Sequence, residues 1–413
     1  MRMKTNRSNQ IFGRFVGVHY SLLQGLYWML QCGYYAFGAS YLYQMGLSST
    51  HVGVVFACVG ALSALTQAQI ANAADRSGVI APKWIAVSLM APASVLLLLL
   101  SFGVESGWLG IVFYAVVWVL VMDVQFLLCT MSMDSVKAGA RVNFGISRAF
   151  GSMSYALTAY ALGVICAARG AVITIPIAAG LSLLFTLALL LWRVQPSKAE
   201  TRAQDVLPQE EEEGSFFKRY PRFMLFVAGC SLVMIAYSTT CNYLVRIVNM
   251  LGGGSEELGT AIMITAMCEI PTILVSVWLN KKYGSNKLMV AAAVMLSVKM
   301  LLITLSSSIS MLYLSMTIQL FSYSLFIPVS VYYVDALMQE RDRMKGQATM
   351  TLILAVGNAV GSLLGGYLLD TVREKGMLLC CLTLSLIGTV VMILGTERGD
   401  MRENAARTDE QSL

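Results

Sequence analysis

Long apolar runs alternate with short polar breaks along almost the whole chain. Twelve runs are readable, near 17–43, 51–73, 83–103, 107–134, 146–167 and 171–192, then near 223–248, 257–279, 287–306, 311–336, 347–369 and 376–395. Each can cross a bilayer as a helix, because about 20 apolar residues span the hydrocarbon core. A soluble fold has no use for twelve such runs. The pattern therefore predicts an all-α integral membrane protein. Residues 1–193 form one six-helix bundle and 223–396 a second, joined by a polar linker at 194–222 and followed by a polar tail at 397–413.

Composition adds little beyond agreement: the 413 residues are 57% hydrophobic and only 13% charged, about half the charged share of soluble domains. The distribution of charge says more. Of 29 Lys and Arg, Arg169, Arg373 and Lys375 lie in loops on one side, and Arg148, Arg246 and Lys299 lie within spans. The other 23 lie on the opposite side. Cationic loops stay in the cytoplasm, so both termini and the linker are placed there, in a multi-pass plasma (inner) membrane protein. The net charge of +6 is read as an orientation signal, and nucleic-acid binding is not expected. The polar start, Met1–Gln10, leads into a span too long and too aromatic for a cleavable signal. The nine cysteines show no metal-like spacing and read as packing residues, and His19 and His51 read as interfacial. No cofactor and no catalytic constellation is expected.

The halves repeat at an offset of 206 residues: Gly53 with Gly259, Gly78 with Gly284, and Gly151 with Gly357. Tyr41-Leu42 and Tyr243-Leu244 also correspond, with four residues inserted in the second half. Parallel repeats of six spans predict two bundles related by an axis along the membrane normal.

The loop Ala71-Asn-Ala-Ala-Asp75-Arg76-Ser-Gly78 resembles the GxxxDRxG loop of the major facilitator superfamily, with Ala71 in place of the first Gly. Asp75 and Arg76 at a span end can hold one conformational state by pairing with a helix terminus or a neighbouring charge, and Gly78 closes the turn. The corresponding Asn280-Lys281-Lys282-Tyr283-Gly284 has lost the acid. Phe144-Gly145-Ile-Ser-Arg148-Ala-Phe150-Gly151 resembles the FGxxRxFG segment of the lactose permease and phenylpropionate permease-like branch, in which the matching Arg contacts the sugar. The resemblance thus nominates Arg148 as a substrate contact. Cys268-Glu269-Ile270-Pro271 is similar to the acid-Ile-Pro signature of that branch, and Lys299 stands where the branch usually carries Arg. Ser322 replaces a frequent His in Gln319-Leu-Phe-Ser322, which removes a His-based proton relay. The proline-rich fifth-span motif of drug antiporters is missing, and span two carries no acid of the kind a sodium site would use.

Ionisable groups inside a bilayer cost about 2.5–3.5 kcal/mol each on insertion scales and need a reason to be there. Glu269, Lys299 and Asp123 fall at similar depth, where two acids and one base can line a polar cavity between the bundles. A carboxyl in a partly dry cavity holds its proton to higher pH, and an approaching cation reverses this. Glu269 is the preferred proton carrier, with Lys299 and Asp123 as partners. A permanent Glu269–Lys299 ion pair is the structural alternative. Asp123 and Asp134, eleven residues apart, share a helix face. Asp134 and Arg148 fall at one depth, where a pair between them would shape the inner mouth.

Span one offers a recognition surface. Gln24, Trp28, Gln31 and Tyr35 lie at i, i+4, i+7 and i+11 on one face, where aromatics can stack on rings and amides can hydrogen-bond. The alternative is helix packing with an aromatic belt residue. Tyr237, Thr240, Asn242 and Asn358 are further polar candidates; the glycines beside Asn358 also suit close helix approach. Taken with the resemblance, the expectation is a monomeric twelve-span secondary transporter working by alternating access. It would couple protons to uptake of a small polar or aromatic solute: a sugar or glycoside first, a nucleoside or aromatic acid next. An exporter of drugs or metabolites is the alternative, and a non-transporting membrane sensor a more distant one.

Overall fold

A computed structural model describes residues 2–77, 81–103, 107–140, 142–193 and 216–397, leaving aside the side chains of 2–15 and 71–77. In chain order the helices are α1 (Arg2–Gln31), a π-helical turn (Cys32–Ala36), α2 (Gly38–Gln44), α3 (Ser49–Ser77), α4 (Pro82–Ser101), α5 (Trp108–Lys137) and α6 (Phe144–Arg169). A 3-10 turn (Ala171–Ile173) then leads into α7 (Thr174–Leu190). The second half holds α8 (Phe216–Arg219), α9 (Pro221–Asn242), α10 (Leu244–Met250), α11 (Ser255–Tyr283), α12 (Ser285–Leu305) and α13 (Ile309–Thr317). A 3-10 turn (Ile318–Phe321), α14 (Tyr323–Leu337) and α15 (Glu340–Gly395) complete it. No strand occurs among the described residues.

Among the described residues, ten stretches are long and apolar enough to cross a membrane. One of them, α15, has 56 residues, about 84 Å at 1.5 Å per residue, far beyond a bilayer core. Its backbone breaks at Arg373, where φ is 60° and ψ −170°, so it makes two passes. With α1–α2, the passes number twelve. Helices satisfy their own backbone polar groups, which hydrocarbon cannot do for them.

Three spans that read as continuous in the sequence are interrupted. Span one widens into the π turn at Cys32–Ala36 before α2 restarts. Span seven breaks at Tyr243, whose hydroxyl donates to the Ser362 carbonyl (2.7 Å). Span ten breaks through the turn Ile318–Phe321 and Ser322. Apolar periodicity reports burial, and a one-residue change of pitch leaves it nearly unaltered, so the interruptions left no sequence signal. Such breaks in membrane helices recur at functional sites.

The chain forms two compact units: residues 1–210 with 254–267, and 211–253 with 268–413. In the first, α1 packs on α6 and α7, α4 on α5 and α7, and α3 on α5. Lys83 donates to the carbonyls of Leu190 (2.7 Å) and Trp192 (2.6 Å) at the end of α7, where a cation complements the helix dipole. The first half of α11 belongs to this unit. There Gly163 and Gly259 bring α6 and α11 into backbone contact: a Cβ at Gly163 would lie 2.9 Å from the Gly259 Cα. In the second unit α9 runs along α15, and α12 packs on α14 and α15 around Phe223, Phe226, Met289, Phe326 and Tyr333. The repeat reappears as packing. A Cβ at Gly151 would meet Trp28 at 2.5 Å and one at Gly357 would meet Met234 at 2.7 Å, and both pairs are related by 206 residues.

Candidate functional site

The first unit organises its polar groups along α1. Gln24 is buried and donates to the Tyr20 hydroxyl (2.8 Å), while its carbonyl accepts from Trp28 Nε1 (3.1 Å). Gln31 donates to the Tyr27 hydroxyl (2.7 Å). The stripe is thus an internally bonded ladder in which each link spans four residues, the spacing that brings helix side chains together. Tyr35 lies within the π turn and meets Trp118 of α5 edge-on, with ring centroids 6.1 Å apart.

The motif on α6 builds onto that ladder. Arg148 Nη1 donates to Ser152 Oγ (2.6 Å), and its guanidinium lies 4.1 Å from the centre of the Trp28 ring. Gly151 leaves room for the indole edge, which any side chain there would displace. Three residues of this segment, Arg148, Phe150 and Gly151, have a visible physical task, and Asn143 just ahead of it has another. Asn143 caps the helix start by accepting from the Ile146 amide (3.1 Å). Phe150 fills the space over Gly25. Arg148 and Gly151 clasp Trp28. The planar guanidinium suits stacking of this kind better than an ammonium.

Asp123 is 1% exposed on α5 and accepts from Ser63 Oγ of α3 (2.7 Å), which itself accepts from Gln67 Nε2 (2.9 Å). Asp134 lies half-buried near the end of α5. Asp75 and Arg76 belong to the last turn of α3, but their side chains, and Gly78 altogether, lie outside the described residues.

The second unit gathers a different set. Lys299 of α12 is 2% exposed, and its ammonium donates to Gln319 Oε1 (2.6 Å). The amide nitrogen of Gln319 donates to Glu269 Oε1 of α11 (3.3 Å) and to the Tyr237 hydroxyl of α9 (3.0 Å). Tyr237 stacks on Tyr323 of α14 with centroids 4.4 Å apart and planes 12° apart, and Lys299 Nζ lies 5.4 Å from the Tyr237 ring centre. One uncharged amide thus links the two ionisable groups that their depth had paired. Lower on α9, Asn242 Nδ2 donates to Asn358 Oδ1 (2.9 Å) and Ser362 Oγ (2.7 Å). Thr240 donates to the Ala236 carbonyl (2.9 Å) and contacts Met300 Sδ (3.3 Å).

Gln319 and Ser63 were not singled out from the sequence. A fully buried amide in an apolar span is a usable signal, since burying it unpaired is costly. A serine is too common in spans to stand out.

Broken, repeated, membrane-crossing helices around buried charges give a membrane protein of the major facilitator fold. The chain belongs to the MFS_1 like family, which it matches over residues 20–378. A maltose permease from Geobacillus stearothermophilus is 26% identical over 260 residues, covering 62% of this chain; the chain spans 64% of the length of that curated relative. Among solved structures, the nucleoside transporter NupG superposes with a TM-score of 0.74 at 15% identity, covering 92% of this chain and 98% of that one. A POT family transporter in complex with 5-aminolevulinic acid superposes with a TM-score of 0.67 at 14% identity, covering 92% and 95%. At these identities the likeness concerns the fold.

Proposed function

We propose that this transporter is a proton-coupled symporter of a small polar or aromatic solute, with sugars or glycosides first and nucleosides or aromatic acids next, working by alternating access. The observation that carries the reading is the link Glu269–Gln319–Lys299, in which Gln319 and Lys299 are buried and Glu269 is half-buried. An acid and a base inside the membrane, held on separate helices by one neutral group, suit a carboxylate that takes up and releases a proton as its surroundings change. Recognition is assigned to Arg148 and Trp28 with Gln24, Gln31 and Tyr35, and to Tyr237, Asn242 and Asn358. The guanidinium offers rigid donors to hydroxyls or a carboxylate, and the ring offers a stacking face. The similarity to a maltose permease favours a sugar. Asp123 serves as a second buried acid, and Asp75, Arg76, Gly78 and Asp134 shape the cytoplasmic gate. The protein is placed in the inner membrane as a monomer with both termini cytoplasmic.

The test is solute-induced proton movement in proteoliposomes, with disaccharides, nucleosides and aromatic acids supplied in turn. External alkalinisation with one class, lost in Glu269→Gln while counterflow exchange survives, is the expected result. Uptake indifferent to collapse of the proton gradient would sink the coupling.

A further inference from the structure

The broken turn of span ten carries the amide that joins Glu269 to Lys299. Gln319 has no exposed surface, and it lies in the one turn where span ten abandons α-helical pitch. Its two ends are chemically distinct and both are occupied. The carbonyl faces a cation, Lys299 Nζ at 2.6 Å, and the amino group faces a carboxylate, Glu269 Oε1 at 3.3 Å, and a phenol, Tyr237 at 3.0 Å. A glutamine amide has one acceptor end and one donor end and cannot titrate. In this orientation its dipole favours both neighbours in their charged forms while keeping its own width between them. The same turn is anchored to α11 three residues past Glu269, where Thr272 Oγ1 donates to the Leu320 carbonyl (2.7 Å).

We propose that Gln319 is a positioning residue: its amide spaces the Lys299 ammonium from the Glu269 carboxylate and so sets the pH at which Glu269 takes up its proton. This rests on the reading of Glu269 as a proton carrier. The other titratable groups that interact with Glu269 are Cys268 beside it, Tyr237 and Cys241 on α9, and Lys299 on α12, with Tyr323 of α14 stacked behind Tyr237. Lys299 is the cation in that set, and moving it towards or away from Glu269 shifts the proton affinity.

Spacing by an amide predicts opposite effects from two substitutions of nearly equal length. Gln319→Glu sets a carboxylate beside Glu269, neutralises Lys299 and removes the amino donor. All three changes favour protonated Glu269. Gln319→Met also removes the amino donor, but it takes the acceptor from the Lys299 ammonium, whose charge is then drawn to Glu269. A full charge outweighs one neutral hydrogen bond, so the ionised form is favoured.

The experiment records pH-induced infrared difference spectra of the full-length protein in lipid, with no solute added. The carboxyl stretch of Glu269 is identified by its loss in Glu269→Gln. The midpoint of that band is expected to rise by about one pH unit in Gln319→Glu and to fall by about one in Gln319→Met, a tenfold change in proton affinity each way. A midpoint unmoved in both variants overturns the role of Gln319 and leaves the carrier standing. A spectrum with no band lost in Glu269→Gln overturns the role and the carrier together. Where one variant fails to fold, the sign of the other decides. Gln347→Glu, at a half-buried position on α15, is the control whose Glu269 midpoint stays in place.

Discussion

The two units hold their buried polar groups in different ways. In the first, the amides of α1 and the arginine of α6 bond one turn away on their own helix: Gln24 with Tyr20, Trp28 with Gln24, Gln31 with Tyr27, and Arg148 with Ser152, every pair four residues apart. Asp123, by contrast, is reached across helices by Ser63. In the second, Tyr237, Glu269, Lys299 and Gln319 come from four separate elements, 20 to 82 residues apart along the chain. The repeat sharpens the contrast. The equivalent of Glu269 in the first half is Ser63, and the equivalent of Arg148 in the second is Leu354, each by the offset of 206. The same repeated arrangement carries an arginine and an aromatic shelf in one half, and a bridged acid and base in the other. A ladder confined to one helix keeps its geometry when helices shift. A network spread over four elements must change when any of them does. The second unit is therefore the better place for a group that has to alternate between two states.

The largest break is expected in the second unit. Lys299→Ala takes away the cation that Gln319 holds near the half-buried Glu269, and leaving a charged, hydrogen-bonded group unmatched costs about 3 kcal/mol. The melting temperature of the purified protein should fall sharply and uptake should be lost. Adding Glu269→Ala in that background should restore part of the stability. A double variant no better than the single one would show that the two charges are not coupled.

Next comes Gly151→Leu, which drives a side chain into the Trp28 ring. Overpacking of this kind costs about 1–3 kcal/mol, read as a lower melting temperature with solute binding weakened by the displaced indole. Gly145→Ala is the control, because a Cβ there meets only Asn143 Oδ1, at 3.4 Å. Equal effects at the two glycines would remove the case for a Trp28 clasp.

Arg148→Lys should be milder for stability, about 0.5–1 kcal/mol for the lost stacking. Its effect on solute affinity should be larger than its effect on melting. A fall in stability as deep as that of Lys299→Ala would abolish the contrast between the ladder and the network.

The smallest effect is expected outside both sites. Asp342, ahead of the eleventh span, accepts from Arg219 Nη1 (2.8 Å) and the Tyr220 hydroxyl (3.1 Å). Burial pushes its carboxyl up, but these hydrogen bonds and the charges of Arg219 and Arg341 outweigh that and hold it below the ordinary carboxylate value. A depressed folded value contributes stability above the unfolded carboxylate value of about 3.9, and that stability is lost as the pH falls through the folded value. Asp342→Asn should cost about 0.2–1 kcal/mol at neutral pH. The gap from wild type should close on acidification below about pH 4. A gap that persists in acid would point to packing and away from charge.

Hydropathy alone was enough for the all-helical, membrane-embedded fold class, because the bilayer imposes one length and one solvent on every crossing element. Helical spacing likewise made the Gln24–Trp28 contact readable, since neighbours four residues apart meet on any α-helix. Depth counting brought Glu269 and Lys299 to one level. It could not supply the amide between them, because Gln319 reaches them only through a turn whose pitch the apolar pattern does not record. The same limit hid Ser63 from Asp123, sixty residues away. What lies within one helix follows from its period. What lies between helices depends on their rotation and on where each one breaks, and those are decided only when the spans pack.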